Sequence, residues 1–190
     1  RADENAFIDT ADEVDLTLPS YDATTTVTRQ QALSVPAVAS ALFLISGIIA
    51  GIPIRLYKRD GNTITEIMDD ERTKLLKIET NSILGAFETK QAMINDLIQE
   101  GSCFCYIGKN GNDAESLQYL PKNRVSVLDN GKLIDRVVYY LVDGYYYDNF
   151  NIMRAVRNSK DGVRGRGLLD DNAMHISSMY NALVYENGVI

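Results

Sequence analysis

Histidine, cysteine and net positive charge are all scarce in this chain, and each shortage removes a class of function. His175 is the only histidine among 190 residues. It lies beside an apolar stripe in a helical pattern. Ser177 and Ser178 are only local neighbours and no carboxylate is placed to orient it, so a serine–histidine nucleophile is not supported. Cys103 and Cys105 are the only cysteines. Two are too few for a disulfide scaffold and point to a reducing compartment, and no second ligand pair completes a zinc site. On a strand the two share one face, which suits small core residues beside Phe104 and Tyr106. Lys and Arg number 19 against 26 Asp and Glu, for a net charge of −7. A dedicated nucleic-acid binder carries a basic excess. The acidic balance does not exclude a protein past which DNA slides, because an acidic wall repels phosphate.

Phosphate-binding signatures are missing as well. No Gly-x-x-x-x-Gly-Lys-Ser/Thr loop occurs. Gly162-x-x-Gly165-x-Gly167 has the glycine spacing of a dinucleotide fingerprint in reverse, and no βαβ alternation surrounds it. The acidic pairs Asp69-Asp70 and Asp170-Asp171 stand near helix starts, where they complement the helix dipole rather than define a metal site. We therefore expect no catalytic residue, no metal ligand and no cofactor.

What is present reads as an α+β chain of short hairpins and a β-meander packed with several helices, ending in a long helix. Residues 1–33 form an acidic, threonine-rich arm expected to be extended or disordered. The opening "RADENAFIDTADEVDLTLPS" has no apolar core, so no secretory signal is expected in it. From Ala32 to Ile54 the chain carries no charge. That run is long enough for a membrane span. Against this, Ser34 and Pro36 suit a helix start, Pro53 ends it, and glycines and serines interrupt it. "IRLYKRDGNTITEI" follows as a hairpin with Asp60-Gly61 at its turn. Short and long amphipathic helices are expected at "DDERTKLLKIET" and Ala86–Glu100. In the second, Phe87, Met93, Ile94, Leu97 and Ile98 form the stripe and Gly101 is the stop. A strand at Ser102–Gly108 leads into a meander whose turns are Pro121-Lys122-Asn123, Asp129-Asn130-Gly131 and Asp143-Gly144. The tyrosines at 139, 140, 145, 146 and 147 suit a half-buried hairpin better than a single-strand nucleic-acid platform, because no basic groove accompanies them. From Gly167 to about Asn187 one helix is expected, with Leu168, Leu169, Ile176, Met179, Leu183 and Val184 on one face.

Arg154, Arg157, Lys160, Arg164 and Arg166 place five basic residues within thirteen positions. Three readings stay open: phosphate contact with DNA, ion pairing across a subunit interface, or a solvated loop. The glycines Gly162, Gly165 and Gly167 mark the turn into the last helix.

The order of these segments resembles the N-terminal part of portal proteins of the HK97 phage family. "ISGIIAGIPIRLYKRDGN" has the layout of that family's small-residue helix running into a strand. "ERTKLLKIETN", "LGAFETKQAMINDLIQEG", "SLQYLPKNRVSVLDNG" and "DGVRGRGLLDDNAMHISSMYNALVYENGVI" follow in the family's order. The resemblance covers residues 32–190; Leu168-Leu169 stand where the family has Ser-Pro. It implies a wing-like α+β domain at 34–166 and the start of a stem-like helix at 167–190. It also implies a longer protein, since such portals continue with stem, clip and crown elements. It implies a structural protein, not an enzyme: a ring, typically of twelve subunits, at one capsid vertex of the virion. That ring is assembled in the bacterial host cytoplasm, meets terminase, capsid protein and a head–tail adaptor, and passes double-stranded DNA without a membrane. The alternative is a membrane-anchored protein with a span at 32–54 and a soluble β-rich domain.

Overall fold

The computed structural model describes residues 28–188 apart from Asp69, Asn112 and Leu133, together with the two-residue strand β1 (Ile8–Asp9). The rest of the expected arm lies outside the described residues. The arm's last residues are helical, a correction to the extended arm expected there: α1 spans Arg29–Ser34. Thr28 caps it, its Oγ accepting from the Gln31 amide while the Gln31 side chain accepts from the Thr28 amide. That reciprocal capping box stabilises a six-residue helix the polar composition hides.

The uncharged run is two helices, not one. Val35 is extended, and α2 starts on Pro36 and stops at Ala50, with Gly51 closing it. Proline forces this break by pushing its predecessor out of helical geometry. Ser34, expected as a cap, instead donates to the Gln31 carbonyl. Fifteen residues give about 22 Å of helix, short of the about 30 Å hydrocarbon thickness of a bilayer. Among the described residues no helix is long and apolar enough to cross a membrane, so the 32–54 span is not there. The hairpin that follows pairs β2 (Leu56–Asp60) with β3 (Thr63–Ile67). Its two-residue loop is Gly61-Asn62, one position later than expected, with Gly61 at φ +58°.

Helix α3 spans Glu71–Lys77 with Asp70 as its cap, accepting from the Arg72 amide and guanidinium. Helix α4 covers Ala86–Glu100 and ends on Gly101 at φ +74°, the left-handed stop that glycine provides. Its buried positions are Ala86, Thr89 and Ile98, whereas Phe87, expected on the inner stripe, is exposed. Neighbours surround α4 from Lys90 onward, so its inner and outer faces are not those of a simple surface helix.

Strand β4 (Ser102–Asn110) runs between β5 (Asp113–Leu120) and β9 (Ile152–Val156). A second antiparallel sheet has the order β1-β6-β7-β8, with β6 at Val125–Asp129, β7 at Val138–Val142 and β8 at Tyr145–Asp148. Pro121-Lys122-Asn123 leads not into a plain turn but into a 3₁₀ turn at Lys122–Arg124. Asp143 and Gly144 both have positive φ, 50° and 87°, the two-residue turn that matches strand twist. Phe104 of β4 packs with Val125, Val127, Tyr140, Val142 and Ile152, so the two sheets face each other across this core. The Phe104 and Tyr140 rings meet edge to face at 5.8 Å. Cys103 and Cys105 point the opposite way, toward α4, and are buried as free thiols. Both faces of β4 are therefore covered, and burial lifts the thiols to about 11 and about 12. At neutral pH they are protonated core residues.

A second core lies within the helical layer. It joins Ala32, Leu42 and Ile98 to Leu169 of α5 (Leu168–Asp171) and Ile176 of α6 (Ala173–Gly188). The single terminal helix expected from Gly167 is thus broken at Asn172, whose side chain donates to the Leu168 carbonyl at 2.9 Å. Met179 and Val184, expected on the inner face, are exposed.

Candidate functional site

The glycine- and arginine-rich segment is a closed loop, and its chemistry is directed inward. Its ends are tied: the Arg166 amide donates to the Arg157 carbonyl at 2.9 Å, and the Arg157 guanidinium donates to the Arg166 carbonyl at 2.8 Å. The Arg157 amide donates to Gly101 at the end of α4, at 2.7 Å. Ten residues closed at the neck make a compact Ω-type loop, and Val163 plugs it into the core between the sheets.

Glycine is needed here for approach more than for angle. A Cβ added at Gly165 would overlap the Gly101 carbonyl, and one at Gly167 would overlap the Gln99 carbonyl. Backbone lies directly on backbone where the loop crosses the C-terminus of α4. Gly162 differs: its φ is +74° and the space around it is open, so it serves the turn alone.

The amides that could cradle a phosphate are already occupied. Asp161 Oδ1 accepts from the Val163 and Arg164 amides, each at 2.9 Å, and from Ser159 Oγ. The Gly167 amide at the start of α5 donates to Asp170 Oδ2 at 3.0 Å. The loop thus supplies its own carboxylates where a phosphate loop would leave an empty nest. Burial works against the charge on Asp161, but the Arg164 and Val163 amides, Ser159 and Arg136 outweigh it and hold the carboxyl at about 2.

The five basic residues do not converge. The guanidinium of Arg154, on β9, stands 5.9 Å from the centre of the Tyr140 ring, within reach of a cation–π contact. Arg157 and Arg166 both close on Asp171, Nη1 to Oδ2 at 3.0 Å and Nε to Oδ1 at 2.8 Å. Of these five, Lys160 and Arg164 are exposed and make no ion pair with the described residues. Sequence reasoning missed the partners. Asp171, which stands near a helix start in the sequence, is the pivot of two arginines. Arg136 was not singled out, yet it binds buried Asp129 and the Asp161 carbonyl, tying the second sheet to the loop. The Arg136 side chain, set against burial, keeps the Asp129 carboxyl below its usual range. A polar pair seven or twenty-five positions apart in a loop carries no sequence signal; an Asp two residues before backbone amides in a glycine-rich turn does.

The end of α4 is the hub. Arg29 of α1 pairs with Glu100. Asp96 accepts from the Tyr119 hydroxyl at 2.7 Å and from the Lys122 amide at 3.2 Å. Burial raises both carboxyls, opposed by Tyr119 and Lys122 at Asp96 and by Arg29 at Glu100. His175 is exposed on α6, and Ser178 Oγ is bonded to the Met174 carbonyl. Neither is arranged as a nucleophile and base.

Two facing sheets, a helical layer and a loop locked on a helix end make this an α+β fold. The family model for phage portal proteins matches residues 36–188. The chain therefore belongs to the phage portal protein family, as the segment order implied. Solved structures share the fold. The neck of an empty gene transfer agent particle, computed with C6 symmetry, superposes with a TM-score of 0.66 at 17% identity, over 85% of this chain and 46% of that one. An HK97-family portal protein from Corynebacterium diphtheriae gives a TM-score of 0.58 at 18% identity, over 87% and 50%. The neck of a native gene transfer agent particle, computed with C12 symmetry, gives 0.63 at 16% identity, over 90% and 48%. The chain thus spans about half the length of the solved chains it matches. No curated protein gave a significant match.

Proposed function

We propose that this chain is the wing and the beginning of the stem of an HK97-type portal: a homo-oligomeric ring at one capsid vertex of a virion, through which double-stranded DNA is packaged and ejected. Membership of the portal family carries the reading. The net charge of −7 supports it, because a conduit for DNA must not grip phosphate. So does the loop, whose amides and two of whose arginines are consumed internally, leaving Lys160 and Arg164 as its only unpaired cations for a neighbouring subunit or for DNA. The role is structural rather than catalytic. Terminase, capsid protein and a head–tail adaptor are the partners such a ring requires, and assembly takes place in the host cytoplasm before the ring enters the virion.

The test is negative-stain electron microscopy of the full-length protein purified without detergent. Rings with a central hole are expected, and their rotational symmetry counts the subunits. Uniform small particles at micromolar concentration would overturn the reading.

A further inference from the structure

Three asparagines in this chain stand directly before a glycine: Asn110, Asn130 and Asn187. In such a pair the backbone nitrogen of the glycine can attack the asparagine side chain, because glycine carries no Cβ to shield it. The three pairs are alike in sequence, and the fold treats them differently.

Asn130 is held in place. Its Nδ2 donates to the Asp135 carbonyl at 2.9 Å, and its Oδ1 accepts from the Lys132 and Val137 amides at 3.3 and 3.2 Å. The attacking nitrogen is engaged as well, since the Gly131 amide donates to Asp129 Oδ1 at 2.7 Å. Asn187 and Gly188 close α6, where the helical ladder commits the glycine amide to the carbonyl four residues back.

Asn110 has none of these restraints. It is the last residue of β4 and pairs with Asp113 of β5 at the tip of their hairpin. It is exposed, and its side chain makes no hydrogen bond with the described residues. The Gly111 amide donates to no described carbonyl. Gly111 itself sits at φ +64° with open space around it.

We infer that Asn110 is a site of covalent self-modification, converted to aspartate and isoaspartate through a succinimide formed with Gly111. Hydroxide takes the Gly111 amide proton, and the nitrogen bonds to Asn110 Cγ. The bond from Cγ to Nδ2 breaks, and that nitrogen leaves as ammonia with a proton from water. Water then opens the ring. Opening at Cγ gives aspartate; opening at the backbone carbonyl gives isoaspartate, whose main chain runs through Cβ. No electron is transferred, and solvent is the only co-reactant. Both products place a carboxylate opposite Asp113, in a cavity that Glu71, Glu79 and Glu115 also line. Like charges directly opposite each other weaken a strand pair, so the modification loosens the hairpin tip. The inference does not depend on the portal reading.

The experiment incubates the folded, full-length protein at mildly alkaline pH. Peptide mapping follows each Asn-Gly pair, with fragmentation that separates isoaspartate from aspartate. Asn110 is expected to convert at least about tenfold faster than Asn130, the factor set by the first hydrogen bond that must open there. It also outpaces Asn187, and its rate rises with hydroxide. In denaturant the three pairs convert at similar rates. Asn110→Gln keeps an amide on a longer side chain that closes the ring far more slowly, and the acidic isoform seen by ion exchange is lost. Conversion led by Asn130 or Asn187 in the folded protein overturns the inference. So does an Asn110 that stays intact when folded while the denatured chain converts, or an acidic isoform undiminished in Asn110→Gln.

Discussion

Two segments flank the body of this protein and share a glycine content and a nearby arginine, yet they are built on opposite principles. The loop at 157–166 is closed at its neck, plugged by Val163 and pinned by backbone to the end of α4. The segment from α2 through the β2–β3 hairpin turns its largest apolar residues outward, and β2 and β3 contact chiefly each other. An isolated two-stranded hairpin is marginal in water. Stability of the loop comes from within the chain; the outer segment leaves its apolar side chains in water. The difference shows that glycine and basic residues announce neither flexibility nor nucleic-acid contact by themselves. What matters is whether the backbone they permit is already spoken for.

The sharpest way to break the comparison is Gly165→Ala. The added methyl meets the Gly101 carbonyl, which is backbone and cannot swing away. A loss of at least about 3 kcal/mol is expected, read as a melting temperature lower by roughly 6–12 °C for a domain of this size. Gly162→Ala meets open space and strains only the left-handed φ of +74°. It should cost about 1–2 kcal/mol. If the two substitutions cost the same, the close crossing of loop and helix is wrong.

Asp171→Asn is the next largest. It leaves the Arg157 and Arg166 guanidinium groups unpaired, but all three side chains are partly exposed. About 1 kcal/mol is the expected loss, shrinking as salt is raised. The pH dependence of the loop has a definite sign. Asp161 is held at about 2 in the folded chain, below the ordinary carboxylate value of about 3.9. Its contribution is therefore complete above about pH 4 and is lost as pH falls toward 2. Acid unfolding of Asp161→Asn should be shallower in that window than that of the wild type.

Much of this scaffold was legible in the sequence because it rests on local signals. The bounds of α4, its stop at Gly101, the Asp143-Gly144 hairpin and the buried cysteines follow from periodicity, left-handed glycine and alternation. The failures are non-local. Pro36 splits the uncharged run where its length suggested one helix. Phe87 lies in the first turn of α4, ahead of its covered part, and α6 buries only Ile176 and Ser177, so Phe87 and Met179 stay exposed; a single-helix stripe encodes neither fact. The loop's meaning was the least legible part. Five basic residues within thirteen positions separate in space, two onto Asp171 and one onto the Tyr140 ring, because a strand and a closed loop aim them in different directions.

One pair of like substitutions isolates the contrast, and its exposed member is the smallest effect expected. Val127→Thr replaces a methyl by a hydroxyl in the core between the sheets, where Val127 is 6% exposed. Shape and strand propensity are nearly unchanged, so the cost is that of burying a hydroxyl, about 1–3 kcal/mol. Ile64→Thr also keeps a β-branched side chain in a strand, but Ile64 is 66% exposed. In the dissociated chain it should shift stability by no more than about 0.5 kcal/mol. Denaturant titration at micromolar concentration measures both. Equal losses would mean that the β2–β3 hairpin is already packed within its own chain, and the division between a self-completed loop and an uncovered outer segment would fall.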